Sequence, residues 1–364
     1  MRRVFLVLMV EKMKRYDDIF DCIVSFENLY EAFLEARKGR RYKREIMRTG
    51  DKVEAVIADL TFDLLTGEWR PQPYHNFECR SEVKRRMINA PTFRDRIVHH
   101  AIYRNVAGLF ERKFIFDSYA CRKGKGTHKA VERLQDFMRR AAGNGGRVYV
   151  LQCDVSKYYP SIDHEILKQE IRRTIADRRL LEVWDHLIDD FEPGNGKGIP
   201  IGAVTSQLSA NIYLNPLDHL IKEDLRVKYY LRYMDDFILV SVDKDRLKQC
   251  LAAIREFLGK RLRLTLNPKT KIFPASHGVD FAGYRTFTNY RLPRKRNIKA
   301  AKIRFKDLSH RYKHGQATAE EARQVKASFL GYVKHCNAAK TTESTLKYLV
   351  LRKENKENGE KGDH

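Results

Sequence analysis

The sequence predicts an α+β fold, a mixed sheet covered by helices on one face. Three observations lead to it. Val148, Tyr149, Val150 and Leu151 are β-branched, aromatic or apolar and run into Cys153-Asp154, so a strand ends in an acid. Leu231 to Val242 reads as strand–turn–strand, with Asp235 and Asp236 at its centre. Before, between and after these segments, apolar residues recur at helical spacing. The resulting order is strand with acid, helix, helix, hairpin with two acids, helix, strand.

Taken along the chain, residues 13–65 read as helices, because Ile19, Ile23, Phe26, Leu29, Phe33 and Leu34 recur near helical spacing. Gly39 to Lys43 is a basic break. Ile46, Val53, Val56, Ile57 and Leu60 then resume the pattern, and Pro71 and Pro73 end it. Residues 74–91 suggest a short hairpin rich in Arg and Lys. A helix follows from Arg94 to about Phe110, then a glycine-broken basic loop, Arg122 to Gly126, then a helix from His128 to Ala142 and a turn at Gly143–Gly146. Beyond the first acid, one helix runs from near Asp163 to before Pro193, and another from Thr205 to Lys222. A helix over Asp245–Leu258 precedes a strand at 262–266 and a further strand from Phe281 to Phe287. From Ile298 the pattern is helical and basic, and the tail from Lys353 is charged and expected to be disordered.

Composition narrows the partner. Lys and Arg total 71 against 47 Asp and Glu, a net charge of +24. A polymer of phosphates makes best use of that excess, because each neutralised phosphate releases a counterion. Hydrophobic residues make up 43%, which is globular composition. Cys22, Cys79, Cys121, Cys153, Cys250 and Cys336 are scattered without metal-ligand spacing, which argues against a zinc module and for free buried thiols in a reducing compartment. Val4 to Val10 is apolar after two arginines, but it is short and lacks a small-residue cleavage site, so it does not read as a signal peptide. No stretch approaches a membrane span. The chain reads as a cytoplasmic protein with no membrane partner.

Two adjacent carboxylates at a hairpin tip are costly unless cations neutralise them. A polar turn alone accounts for Asp235 and Asp236. The second strand ending in Asp154 changes the balance, since phosphoryl transfer to a hydroxyl uses two divalent metals about 4 Å apart, held by carboxylates from neighbouring strands.

Six segments in chain order then resemble the reverse transcriptase superfamily, collinear over roughly residues 40–290. Tyr233-Met-Asp-Asp236 resembles its Y-x-D-D motif, and Asp154-Val-Ser-Lys-Tyr-Tyr-Pro-Ser-Ile-Asp-His164 its first catalytic motif. Ser118 to Ala130 resembles the segment before that motif. Arg86-Met-Ile-Asn-Ala-Pro91 with Asp95-Arg-Ile-Val98 resembles the fingers. Asn267-Pro-Lys-Thr270 and Phe281-Ala-Gly-Tyr284 resemble the segments that follow the Y-x-D-D.

The resemblance implies a right-hand polymerase fold. Its parts would be N-terminal helices and fingers over 1–100, palm over 101–163, a fingers/palm insertion over 164–197, palm again over 198–287 and a helical thumb over 288–352. The activity implied is RNA-directed DNA synthesis with two Mg²⁺ ions, Mn²⁺ being the alternative ion. It assigns Asp154 and Asp235 as metal ligands, the Val155 backbone carbonyl as part of one metal's shell, and Asp236 as support. Tyr159 matches the aromatic under the incoming sugar, which excludes a 2′-hydroxyl. Arg86 matches the arginine that grips the triphosphate, and an arginine fork suits phosphate oxygens. Arg80 is a second basic contact or, with Lys84 and Arg85, a solvated basic strand. Lys269 is either the general acid for pyrophosphate or a surface lysine. Phe281, Gly283 and Tyr284 resemble the primer-holding hairpin.

Where the family carries Q-G-x-x-x-S-P, this chain has Ile201-Gly-Ala-Val-Thr-Ser-Gln207. Both ends of the motif change, which resembles the reverse transcriptases of diversity-generating retroelements; these mutagenise template adenines during copying. Gly202 permits close backbone approach to nucleotide or template. The partners implied are a template RNA and its RNA/DNA duplex, deoxynucleoside triphosphates and a small basic helical accessory protein, in a bacterial or phage-encoded system. A retron or defence-type enzyme is the alternative. The 80 residues after Tyr284 are read as a thumb, too few for a ribonuclease H domain, with Lys295, Arg296, Lys299, Lys302, Arg304 and Lys306 facing a duplex backbone.

Overall fold

Helical periodicity before residue 66 resolves into four helices in the computed structural model, which describes residues 15–79, 86–143, 145–191 and 195–352. These are α1 (Phe20–Val24), α2 (Phe26–Ala36), α3 (Arg44–Asp51) and α4 (Val53–Thr66). Leu29, Phe33, Ile57 and Leu60 are buried, while the basic stretch 37–43 breaks the pattern across the expected Gly39–Lys43 segment. The Ser25 hydroxyl caps α2 by accepting from the Asn28 amide, and Gly67, in the left-handed region, closes α4. The hairpin follows as β1 (His75–Cys79) and β2 (Arg86–Ala90), antiparallel with His75 opposite Ala90.

The remaining elements are α5 (Phe93–Glu111), α6 (Thr127–Gly143), β3 (Tyr149–Asp154), α7 (Tyr158–Ser161), α8 (His164–Arg172), α9 (Arg178–Asp189) and α10 (Val204–His219). After a π-helical turn at Leu220–Asp224 come β4 (Tyr229–Tyr233), β5 (Asp236–Ser241), α11 (Lys244–Leu262), β6 (Lys271–Pro274), β7 (Val279–Phe281), β8 (Tyr284–Thr286) and β9 (Arg291–Pro293). Three helices end the described chain: α12 (Lys295–Lys313), α13 (Ala319–Val333) and α14 (Ala339–Leu346). The four-stranded sheet has the order β4-β5-β3-β6. Phe237 to Val240 form one unbroken buried run, and Tyr229 to Arg232 another. Unbroken burial along a strand requires cover on both faces, so these two strands correct the expectation of a single covered face.

The chain divides into two compact units. One comprises residues up to Gly124, Cys153–Phe237 and Lys248–Thr270; the other comprises Lys125–Gln152, Ile238–Leu247 and Lys271 onward. In the first, α5 packs on α2 and α10, with Ile97, Val98, Ala101, Ile102 and Val106 buried. In the second, β7, β8 and β9 form an antiparallel sheet beside α6, and Phe305, Phe329, Val333 and Ala338 make the core of the last three helices.

Four local expectations need correction. The single helix from Asp163 to Pro193 is two. The chain opens at 173–177 because Tyr16 exchanges backbone hydrogen bonds with Thr174 and Ala176, and Asp177 caps α9 while accepting from the Ile19 and Phe20 amides. The strand at 262–266 is the end of α11 and a loop. Leu262 and Leu264 are buried there, Arg263 is left-handed at φ 49°, and the Leu264 amide returns to the Leu258 carbonyl, so apolar alternation marks a helix stop. The strand that pairs β3 lies further on, at β6. The strand from Phe281 to Phe287 is a tight hairpin turning at Ala282 and Gly283, both with positive φ. All six cysteines are free, but only Cys153 and Cys250 are buried. Arg80, Lys84, Arg85 and the tail from Lys353 lie outside the described residues, as does the apolar Val4–Val10 segment. Among the described residues no helix is long and apolar enough to cross a membrane.

Candidate active site

The two acid-bearing strands meet at the backbone. β3 ends on Asp154, and the next amide, that of Val155, donates to the carbonyl of Asp235 at 3.2 Å. β4 ends on Tyr233 and β5 begins on Asp236, so Met234 and Asp235 form the two-residue tip. Met234 takes the left-handed conformation at φ 57°, as a first tip residue does in a tight hairpin. Asp154, Asp235 and Asp236 are each half-buried. Burial and the negative field of Asp236, with a smaller one from Asp154, push the neighbouring Cys153 thiol far up, so both carboxylates act on the same small volume.

On the other side of Asp154 stands Asn267. Its amide Nδ2 donates to Asp154 Oδ2 at 3.0 Å, and its backbone N–H donates to the Asp154 carbonyl at 2.7 Å. Val155 and Leu266 form an antiparallel bridge, and the Ser156 amide donates to the Thr265 carbonyl. Lys269 is exposed in the turn closed by the Asn267 carbonyl. Asn267 itself was missed from the sequence as a contact of Asp154; an Asn followed by Pro after a helix was the available signal, because it marks a turn whose first side chain is free to point back.

Two tyrosines follow Asp154, and the structure separates them. Tyr158 is buried, its hydroxyl donating to the Ala210 carbonyl, whereas Tyr159 is half-buried with its hydroxyl 3.9 Å from Met234 Sδ. Tyr159 therefore lies against the hairpin tip. The Ile201-to-Gln207 segment lies against β2. The Asn89 amide donates to the Ile201 carbonyl at 2.9 Å, and the Ile201 amide donates to Asn89 Oδ1 at 3.4 Å. Gly202 has φ 141°, and a Cβ there would stand 2.9 Å from the Asn89 carbonyl oxygen, so close approach requires glycine. Ile201 and Gln207 are half-buried. Arg86 opens β2.

Behind this segment, His99 of α5 is fully buried, its Nδ1 2.6 Å from the Thr205 hydroxyl and its Nε2 without a hydrogen-bond partner. Burial, then the positive charges of His100 and Arg96, lower its pKa to about 3. Between that value and the ordinary 6.5 the unfolded chain binds a proton that the folded chain does not, so stability falls as pH falls through this window, by up to about 1.4 kcal/mol per pH unit. In His99→Gln this contribution is absent, and the loss of stability between pH 7 and pH 5 should shrink by about 2 kcal/mol. Urea unfolding at the two pH values measures it; an unchanged acid slope would mean that His99 is charged in the folded state.

In the second unit, the rings of Phe281 and Tyr284 are buried, and the Tyr284 hydroxyl donates to the Tyr332 carbonyl. The Gly283 carbonyl accepts from the Tyr332 hydroxyl at 2.8 Å and from Asn297 Nδ2 at 3.3 Å. These side chains hold the turn in place. Of the basic residues of α12, Lys302 and Lys306 lie over the Tyr348 ring, whereas Lys295, Arg296, Lys299 and Arg304 are exposed.

Carboxylate and carbonyl oxygens on adjacent strands are donors that suit Mg²⁺. Among the described residues no three His, Cys, Asp or Glu side chains form a metal-holding cluster.

Comparison with known proteins supplies the family. The model described as reverse transcriptase (RNA-dependent DNA polymerase) matches residues 75–286, more than half of the chain. Protein YkfC of Escherichia coli (strain K12) is 28% identical over 263 residues, covering 61% of this chain and 69% of that protein. The group II intron-encoded protein LtrA of Lactococcus lactis subsp. cremoris is 25% identical over 215 residues, 57% of this chain, and this chain spans 34% of LtrA. Among solved structures, telomerase from Candida albicans in complex with a TWJ fragment of telomeric RNA gives a TM-score of 0.47 at 13% identity, over 77% of this chain and 55% of that one. The matched span contains both acid-bearing strands, the β1–β2 hairpin and the Ile201 segment, and the chain belongs to the reverse transcriptase (RNA-dependent DNA polymerase) family, with the α+β right-hand polymerase fold of that family.

Proposed function

We propose that this chain extends a primer with deoxynucleotides on an RNA template, at a two-metal site whose protein ligands are Asp154, Asp235 and the Val155 carbonyl. The observation that carries this reading is the backbone join from Val155 to Asp235, which brings two acid-bearing strand ends side by side. Mg²⁺ held there, or Mn²⁺, would lower the pKa of the primer 3′-hydroxyl and neutralise charge on the leaving pyrophosphate. The chain's own part is orientation and selection. Asn267 steadies the Asp154 carboxylate, Asp236 adds negative charge beside it, and Tyr159 stands where the incoming sugar would meet the hairpin tip. Arg86 and Arg80 would take triphosphate oxygens, Lys269 would protonate pyrophosphate, and the Phe281–Tyr284 turn would hold the primer. The partition into fingers (1–100), palm (101–163 and 198–287), insertion (164–197) and thumb (288–352) belongs to the same proposal. Extension of a DNA primer annealed to RNA, with wild type beside Asp235→Asn, tests it.

Within that reading, Ile201 and Gln207 favour a diversity-generating retroelement, with its template RNA and a small basic helical accessory protein as partners, over a retron or defence-type enzyme. Two hydrogen bonds to Asn89 fix the Ile201 backbone, so the side chain is the variable at this position. A glutamine there can bond the nucleotide or its neighbours and penalise imperfect pairs; Ile has no donor or acceptor. Ile201→Gln should lower misincorporation opposite template adenine by roughly tenfold, and less opposite other bases. Sequencing cDNA made by both enzymes on one RNA reads this out. An error spectrum identical in the two would remove the case for adenine mutagenesis.

A further inference from the structure

Beneath the hairpin tip lies a charged group that the catalytic reading does not use. Arg232, on β4, and Asp218, on α10, are both fully buried. Arg232 Nε lies 2.8 and 3.0 Å from the two Asp218 oxygens, and Nη2 lies 2.6 Å from Oδ2. The Tyr230 hydroxyl donates to Asp218 Oδ1 at 2.6 Å. The other edge of the guanidinium faces the tip: Nη1 donates to Asn211 Oδ1 at 3.1 Å and to the Met234 carbonyl at 3.1 Å. Asn211 and Asp218 are seven residues apart, so they lie on one face of α10, two turns from each other.

A buried ion pair is weak evidence for stability, because apolar residues of similar volume often serve as well. This pair has a different consequence. Met234 is left-handed, a conformation that costs a non-glycine residue roughly 1–2 kcal/mol and persists only where its surroundings impose it. A planar fork with one edge clamped on Asp218 has no freedom to follow the tip if the tip moves. It also ties the tip to α10, the helix whose first turn follows Ile201 and Gly202.

We propose that Arg232 is a positioning residue: its guanidinium, locked by Asp218 and Asn211, holds the Met234 carbonyl and so sets the backbone from which Asp235 presents its carboxylate. The Arg232–Asp218 pair is neutral as a whole, so its action on the site is geometric. The inference rests on Asp235 being a metal ligand.

Arg232→Lys keeps the charge opposite Asp218 but cannot span three acceptors in one plane. The expected result is a Mg²⁺ concentration for half-maximal primer extension raised about fivefold and kcat lowered about tenfold or more, with duplex affinity within about twofold of wild type. Asp177→Ala, which removes the α9 cap and the acceptor of the Ile19 and Phe20 amides, serves as a destabilised control; it should lower Tm without moving the Mg²⁺ requirement. If Arg232→Lys does not fold, the double variant Arg232→Gln with Asp218→Asn removes both buried charges together, avoids an unpaired ion, and should show the same raised requirement. A folded variant of either kind with the wild-type Mg²⁺ requirement overturns the proposal. Asp235→Asn is run alongside. If it extends primers normally, the metal-ligand reading fails; if it is inactive while the Arg232 variants keep the wild-type requirement, only the positioning role fails.

Discussion

Asp235→Asn should lower primer extension by on the order of 10³-fold while leaving binding to an RNA/DNA duplex almost unchanged. The substitution keeps the shape of the side chain and leaves the Val155 N–H bond to the residue 235 carbonyl in place, because that bond is made by backbone. What it removes is one negative charge from a pair of acid-bearing strand ends. Loss of a metal ligand forfeits several kcal/mol of transition-state stabilisation, and each 1.4 kcal/mol is a factor of ten. Duplex binding depends on a different part of the chain's charge. With 71 Lys and Arg against 47 acids, loss of one carboxylate changes the field along a phosphate backbone little. Extension and filter-binding measured on the same preparations separate the two terms. Extension by the mutant at the wild-type rate would end the metal-ligand assignment, and loss of both activities together would mean that the substitution unfolds the hairpin.

The strand ends that carry this prediction were legible because they are short and local. An apolar run stopping at an acid and two acids between apolar strands survive as patterns whatever surrounds them. The order of motifs was legible for the same reason, and so were the helices before residue 66, whose buried faces follow the helical period. The misread segments are those where a tertiary partner decides. Leu262, Leu264 and Leu266 alternate like a strand, yet α11 continues through Lys260 and Arg261, both good helix formers, and stops only at Arg263. The break between α8 and α9 depends on Tyr16, some 160 positions away, which no local pattern can announce. Arg232, Asp218 and Asn211 escaped for a related reason. A lone arginine in an apolar strand and a lone aspartate in an apolar helix each look like surface residues until the fold places one against the other. Their apolar neighbours, Leu231 beside the arginine and Leu217 and Leu220 beside the aspartate, are the signal that both ions are buried.

For Tyr159 the sequence favours a ring at the sugar over a core tyrosine, and its surroundings set what a substitution there should do. An aromatic five residues after Asp154 is either a core tyrosine or a ring at the sugar. The core role falls to Tyr158, which is fully buried and bonded to α10 through the Ala210 carbonyl. Tyr159 is only half-buried, its carbonyl accepts from the Ile199 amide at 3.1 Å, and its hydroxyl meets Met234 at the hairpin tip. With the Tyr159 backbone tied to Ile199 and the ring's hydroxyl end against Met234, we propose that the ring has little room to yield to a substituent on the sugar. Tyr159→Ala should therefore raise the ratio of ribonucleotide to deoxynucleotide incorporation by roughly 10²-fold, the range in which a shaped pocket rejects an added hydroxyl. Deoxynucleotide incorporation should fall by a smaller factor, since the substitution removes a support of the tip but no metal ligand. Single-nucleotide extension with each substrate over a concentration series gives both numbers. A ratio equal to that of the wild type, with a reduced rate for both sugars, would make Tyr159 a packing residue for Met234 and leave sugar choice to another side chain.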